Sequence, residues 1–169
     1  MKINYIKAHF VTSTPNISLV NKYFRASHNI KIATFLDYGN LKVTLMGKEF
    51  QFVNVTGASQ ISVIDNFMSF YLSKFKVKQK SGIMIDSISA TYKFSSKSKL
   101  CFEQFRKNLS NFELSAKDNS KFPGVTIRNK FNPKGGCAIY FRSGSLNFIG
   151  FKHPKHIIAM KNKIKSSLF

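Results

Sequence analysis

Acidic side chains are scarce in this chain. Seven Asp and Glu stand against 27 Lys and Arg over 169 residues, a formal net charge of +20. The few carboxylates show no catalytic spacing, which argues against a hydrolytic centre. Cysteine is rarer still: Cys101 and Cys137 stand alone, without a CxxC, so neither a zinc ribbon nor a disulfide framework is expected. Together with the lack of a signal-peptide core, they point to a reduced intracellular compartment. No apolar run approaches membrane-spanning length. The one metal-like spacing, His153-Pro-Lys-His156, lies among cations without an acidic or thiol neighbour and reads as a basic helix start. The expectation is a protein with no enzymatic activity, no cofactor, no metal and no membrane segment.

What is present is a cation excess spread through folded-looking sequence, together with 18 Phe and no Trp. Such an excess suits a polyanion, because each neutralised phosphate releases condensed counterions. The plainer reading is a soluble protein from a lysine-rich proteome encoded by an A·T-rich genome.

The order of elements occurs twice. The first half offers a strand at KINYIKAHFV and a helix over TSTPNISLVNKYF with Ile17, Val20 and Phe24 on one face. Strands follow at IKIATFL, LKVTLM and EFQFVNVTG, joined by turn formers. A helix over SQISVIDNFMSFYLSKF closes the half, striped by Ile61, Ile64, Met68, Tyr71 and Phe75 and capped by Ser59. The second half repeats this with a strand at GIMIDSISATYKF and a helix at SSKSKLCFEQFRKNL carrying Phe102, Phe105 and Leu109. Three strands in residues 122–150 and a closing helix at HPKHIIAMKNKIKSSLF complete it. Matching Asn4 to Ser87 gives an offset of 83, and matching Gly57 to Gly150 gives 93. The second copy therefore carries about ten extra residues, assigned to LSAKDNSK and NPKGG. The expected fold class is α+β: repeats 1–78 and 79–169 forming one curved antiparallel sheet, with helices on one face.

The uncovered face has its own composition. Leu41, Val43, Leu45, Val53 and Val55 point to the core, so Lys42, Thr44, Met46, Phe50, Phe52, Asn54 and Thr56 point away. In FPGVTIRNKFNPKGGCAIYFRSGSLNFIG, alternation places Phe122, Thr126, Arg128 and Phe141 opposite Val125, Ile127, Ala138, Tyr140, Leu146 and Phe148. Aromatics among hydroxyls, amides and cations make a nucleic-acid platform; the competing reading is a dimer interface or a partly covered core.

These residues carry a resemblance to the saddle-shaped TATA-box-binding proteins. FPGVTIR is similar to the family's FPGLIYR-type strand, and CAIYFRSGSLNFIG to its LLIFVSGKVVLTG-type hairpin. MGKEFQFVNVTGA resembles the GKMVCTGA hairpin end, while KINYI and MIDSIS occupy the places of the strands that open each half. The resemblance implies a TBP-like saddle that binds and bends A·T-rich double-stranded DNA through the minor groove. The family is a standard example of wedge side chains. It implies that Phe122 and Phe141 are wedges, Arg128 a phosphate contact, Ile139 an apolar groove contact, and Asn4 a central base contact. Ile6 and Thr56 share that floor, and Lys42, Asn54, Thr126, Arg142 and Asn147 complete the expected contacting set. Ser87, Ser89 and Ile149 are departures at floor positions. In the first repeat Asn29 aligns with Phe122 and Thr44 with Phe141, so Phe50 or Phe52 is a candidate substitute wedge; the alternative is a kink at one end only.

The implied partners are A·T-rich duplex DNA, a TFIIB-like initiation factor and a multisubunit RNA polymerase. The NPKGG turn and the closing helix are the candidate partner surfaces. The implied location is the nucleus or, for a large DNA virus, the host cytoplasmic replication site or the virion. Two other classes stay open: a TBP-like interaction scaffold that has lost DNA binding, and an accessory nucleic-acid-binding module.

Overall fold

Strict alternation from Ile6 to Thr12, and again from Leu41 to Leu45 and from Gln51 to Val55, buries every second side chain and leaves the rest toward solvent. That pattern is what one covered sheet face requires. The structure, a computed structural model, describes residues 1–94, 107–116, 124–132, 134–141 and 143–168. The chain divides into two compact units, Tyr5–Asp86 and Ser87–Phe169, the latter joined by Met1–Asn4.

In the Tyr5–Asp86 unit, strands β1 (Lys2–Ser13), β2 (Arg25–Ser27), β3 (Ile30–Phe35), β4 (Leu41–Met46) and β5 (Phe50–Ala58) lie in the order β2-β3-β4-β5-β1. All described pairings are antiparallel. Helices α1 (Ile17–Tyr23) and α2 (Ile61–Phe75) cover one face. Asn16 starts α1, its Oδ1 accepting from the Ser18 amide at 2.9 Å. Val20 and Phe24 are buried as expected, but Ile17 is exposed, since a seven-residue helix has a narrow inward stripe. Along α2 the buried stripe is Ile64, Phe67, Tyr71 and Phe75. Phe67 takes the place expected of Met68 because its ring meets Phe35 at 4.9 Å and Tyr38 at 5.5 Å. Ile61 is exposed in the first turn, and Gln60 rather than Ser59 occupies the N-cap, without a side-chain bond.

In the other unit, β6 (Met84–Lys93), β7 (Phe112–Ala116), β8 (Gly124–Asn129), β9 (Cys137–Phe141) and β10 (Ser145–Phe151) lie in the order β6-β10-β9-β8-β7. Helix α3 (Pro154–Leu168) lies against β10 and buries Ile157, Met160 and Ile164. Leu109 is buried as expected, whereas Phe102 and Phe105 lie outside the described residues. Strands β2 and β7 were not foreseen. Each adds an outer antiparallel strand, β2 through a two-residue turn at His28 and Asn29, whose φ values of 43° and 65° are those of a type I′ hairpin. The NPKGG stretch forms the β8–β9 turn, with Pro133 outside the described residues, while Leu114–Ala116 of LSAKDNSK belongs to β7.

Each half carries one bulge. Ile6 faces Ala58 and Lys7 faces Thr56, which leaves Gly57 unpaired with φ +104°. Ile88 faces Phe151 and Ala90 faces Phe148, with Gly150 at φ +81° in the same place. Both need glycine's freedom at positive φ. The bulges also fix the repeat register: Ile6 corresponds to Ile88 and Ala8 to Ala90, an offset of 82. The expected 83 was one residue out, and a one-residue slip exchanges the two faces of a strand.

Candidate nucleic-acid interface

The face opposite the helices follows directly from the strand pairing. In the Tyr5–Asp86 unit one row runs Arg25, Ile32, Thr44, Asn54, His9, and the next runs Thr34, Lys42, Thr56, Lys7. A third joins Met46, Phe52 and Val11, with Phe50 opposite Ser13 beyond it. Met46, Phe52 and Phe50 are 47%, 46% and 49% exposed, far from what the hydrophobic effect alone would select for side chains of that size. Lys80 places its Nζ 5.8 Å from the Phe50 ring centroid. Lys42 is exposed, and its carbonyl accepts from Thr56 Oγ1 at 3.4 Å; Asn54 and Thr56 are half-buried.

In the other unit the central row runs Ser115, Thr126, Ile139, Asn147, Thr91. Asn4 Nδ2 donates to Thr91 Oγ1 at 2.7 Å, and Thr91 Oγ1 donates onward to Asn147 Oδ1 at 3.2 Å. Each neutral partner is thereby oriented by the next. A flanking row joins Glu113, Arg128, Cys137 and Ile149, with Arg128 and Ile149 exposed. Phe141 lies opposite Gly124 and Ser145 on this same face and is half-buried. Thr126, Ile139 and Asn147 are half-buried too, so the central row sets one apolar side chain among hydroxyls and amides, and the flanking positions mix Arg128 with Ile149 and Phe141.

Several expected positions change. Ile6 is 1% exposed and belongs to the core with Ala8 and Phe10, because the register differs by one residue; Lys7, His9 and Val11 take the open face instead. Ser89 shares the side of Thr91 but is only 7% exposed, and Ser87 is half-buried. Thr44 corresponds not to Phe141 but to Ile139, since each lies opposite the matching Asn54 or Asn147. The first-repeat counterpart of Phe141 is Met46, opposite Phe52 as Phe141 is opposite Ser145. Phe122 and Arg142 lie outside the described residues.

The correct offset also relates two contacts that sequence inspection missed. Asn4 and Thr91 in one unit correspond to Asp86 and His9 in the other, where His9 Nδ1 lies 2.9 Å from Asp86 Oδ1. A neutral pair thus stands in one unit where an ionisable pair stands in its counterpart. The described residues hold no group of three or more His, Cys, Asp or Glu that could bind a metal, and no helix is long and apolar enough to cross a membrane.

No family model matches the chain, and no curated protein matches it in sequence. Among solved structures, Methanococcus jannaschii TBP is similar over 99% of this chain and 97% of its own, with a TM-score of 0.76 at 15% identity. A crystal structure of A. aeolicus tRNASec in complex with M. kandleri SerRS gives a TM-score of 0.42 at 8% identity over 31% of that chain, too low to bear on the fold. Two matched units of five antiparallel strands with helices on one face, alike in strand order and pairing and similar end to end to an archaeal TBP, give this protein a divergent TBP-like α+β fold.

Proposed function

We propose that this protein binds A·T-rich double-stranded DNA through the minor groove, bends it, and helps assemble a transcription pre-initiation complex. One observation supports this above the others. Met46, Phe50 and Phe52 stand about half exposed on a sheet face that also carries Lys7, Lys42 and Arg25. Met and Phe are wedge residues: inserted at a base step they unstack it for a few kcal/mol and expose more duplex to the protein. Met46 at the Phe141 position, beside Phe52, gives each repeat an apolar side chain in the same place. A two-ended kink is therefore favoured over a kink at one end.

The floor chemistry agrees with this groove. A·T pairs present only the acceptors A N3 and T O2 there, whereas G·C adds a protruding amino group. The Thr126 hydroxyl, the Asn147 amide and the second proton of the Asn4 amide offer small donors, Thr91 orients the two amides, and Ile139 offers a flat apolar contact. TA steps open cheaply, so deformability adds to selectivity. The rim cations supply affinity that falls as salt rises.

By the same reading the bent complex recruits a TFIIB-like factor and a multisubunit polymerase, the protein is not an enzyme, and it acts in the nucleus or, if viral, at a cytoplasmic replication site or in the virion. A fluorescence-transfer bending assay on end-labelled A·T-rich and G·C-rich duplexes tests the core of it. The A·T duplex should bind and bend, and Met46→Ala with Phe52→Ala should reduce the bend. Equal binding to both duplexes would refute minor-groove readout.

A further inference from the structure

The His9–Asp86 pair has no role in the binding scheme above, and its chemistry differs from that of its counterpart. Beside a carboxylate, an imidazole nitrogen must be the donor, so Nδ1 carries the proton toward Asp86 Oδ1 at 2.9 Å. The ring's other polar atom, Nε2, has no partner among the described residues. With Nδ1–H committed, neutral His9 presents Nε2 as an acceptor, and protonated His9 presents it as a donor. His9 sits on the open face between Lys7 and Val11, opposite Asn54. Its side chain is 21% exposed and that of Asp86 32%.

We propose that His9, oriented by Asp86, reads one base pair of the bound duplex and that its preference reverses with its protonation. The inference rests on the minor-groove reading above. A donor at Nε2 matches A N3 or T O2, whereas at G·C it meets the protruding guanine amino group, donor against donor, so imidazolium favours A·T. An acceptor at Nε2 matches the guanine amino group, so the neutral ring favours G·C. In the other unit the corresponding Asn4–Thr91 pair holds no ionisable group, so its half of the site has no such reversal. Other charges near His9 are Lys7 on its own strand, Lys42 two strands away, Lys80 above the Phe50 ring, and Asp86. The lysines attract phosphates of any sequence and do not discriminate bases. His28 lies in the β2–β3 turn, away from this row, and any charge there acts on A·T and G·C duplexes alike.

The experiment scans a single G·C replacement through each position of an A·T-rich duplex and measures binding by fluorescence anisotropy at pH 5.5 and pH 8 in fixed salt. At one position the G·C penalty should shrink or invert at pH 8, by about tenfold relative to pH 5.5. His9→Gln should bind DNA with a pH-independent penalty there, and Asp86→Asn should weaken the reversal. A profile that is the same at both pH values, or a reversal that persists in His9→Gln, overturns the proposal while leaving minor-groove binding intact. Loss of binding to every duplex would instead refute the DNA-binding reading itself.

Discussion

The Tyr71 hydroxyl is buried among Phe10, Phe67 and Phe75 and finds no hydrogen-bond partner among the described residues. A buried, unpaired hydroxyl costs free energy, so Tyr71→Phe should stabilise the protein by about 1 kcal/mol, read as a higher urea midpoint with an unchanged slope. The same burial pushes the Tyr71 pKa well up, and that of Tyr140 upward as well. Above a pH of about 10 an unfolded tyrosine loses its proton while the folded one keeps it. Stability is then fully present below that pH and declines as pH rises beyond it. Tyr71→Phe should flatten this alkaline decline in thermal melts between pH 9 and pH 11. On the open face the expectation is the opposite in kind. Met46→Ala and Phe52→Ala remove half-exposed side chains, so each should change stability by no more than about 0.5 kcal/mol while reducing DNA bending. A large drop in melting temperature would show that these side chains belong to the core.

At the level of elements, the bulges govern both fold and site. Gly57 holds φ +104°, with Asn40 O only 3.4 Å from where a Cβ would stand. Gly57→Ala should therefore cost about 1–2 kcal/mol, whereas Gly82→Ala, which meets nothing within 4 Å and has no positive φ, should be close to neutral. Equal denaturation midpoints for the two variants would contradict the bulge. These bulges also explain what could be seen in the sequence. Alternation located β4 and β5 almost to the residue, because Leu41–Leu45 and Val53–Val55 show a clear period of two. Arg25–Ser27 and Phe112–Ala116 carry too few alternating residues to announce an outer strand. Register was the harder quantity. The signal was present but small: at an offset of 82, KINYIKA and MIDSISA share Ile3 with Ile85, Ile6 with Ile88 and Ala8 with Ala90, whereas an offset of 83 aligns no identical pair. Matching Asn4 to the polar Ser87 hid it, and the strand partners of Ile6 and Ile88 restore it. That one-residue shift moved Ile6 into the core and brought Lys7 and His9 to the surface. Met46 was visible on the open face, but its equivalence to Phe141 needed the pairing of β4 with β5.

At the scale of the molecule, the net charge of +20 makes salt the most sensitive variable. If the bound site neutralises roughly six to ten phosphates, affinity should fall by about 10³–10⁵ between 50 and 200 mM salt. A plot of log affinity against log salt from a titration series gives that number directly. A nearly flat plot would mean that the cations are a property of composition rather than of a docking face. The compact units add a constraint of a different kind. Their borders fall after Asn4 and after Asp86, so Asn4 completes the row of Thr91 and Asp86 completes that of His9. Severing the chain near residue 78 would strip each fragment of the anchor that its own row depends upon. Neither piece should hold its polar floor alone, yet the two mixed in equal amounts could restore both.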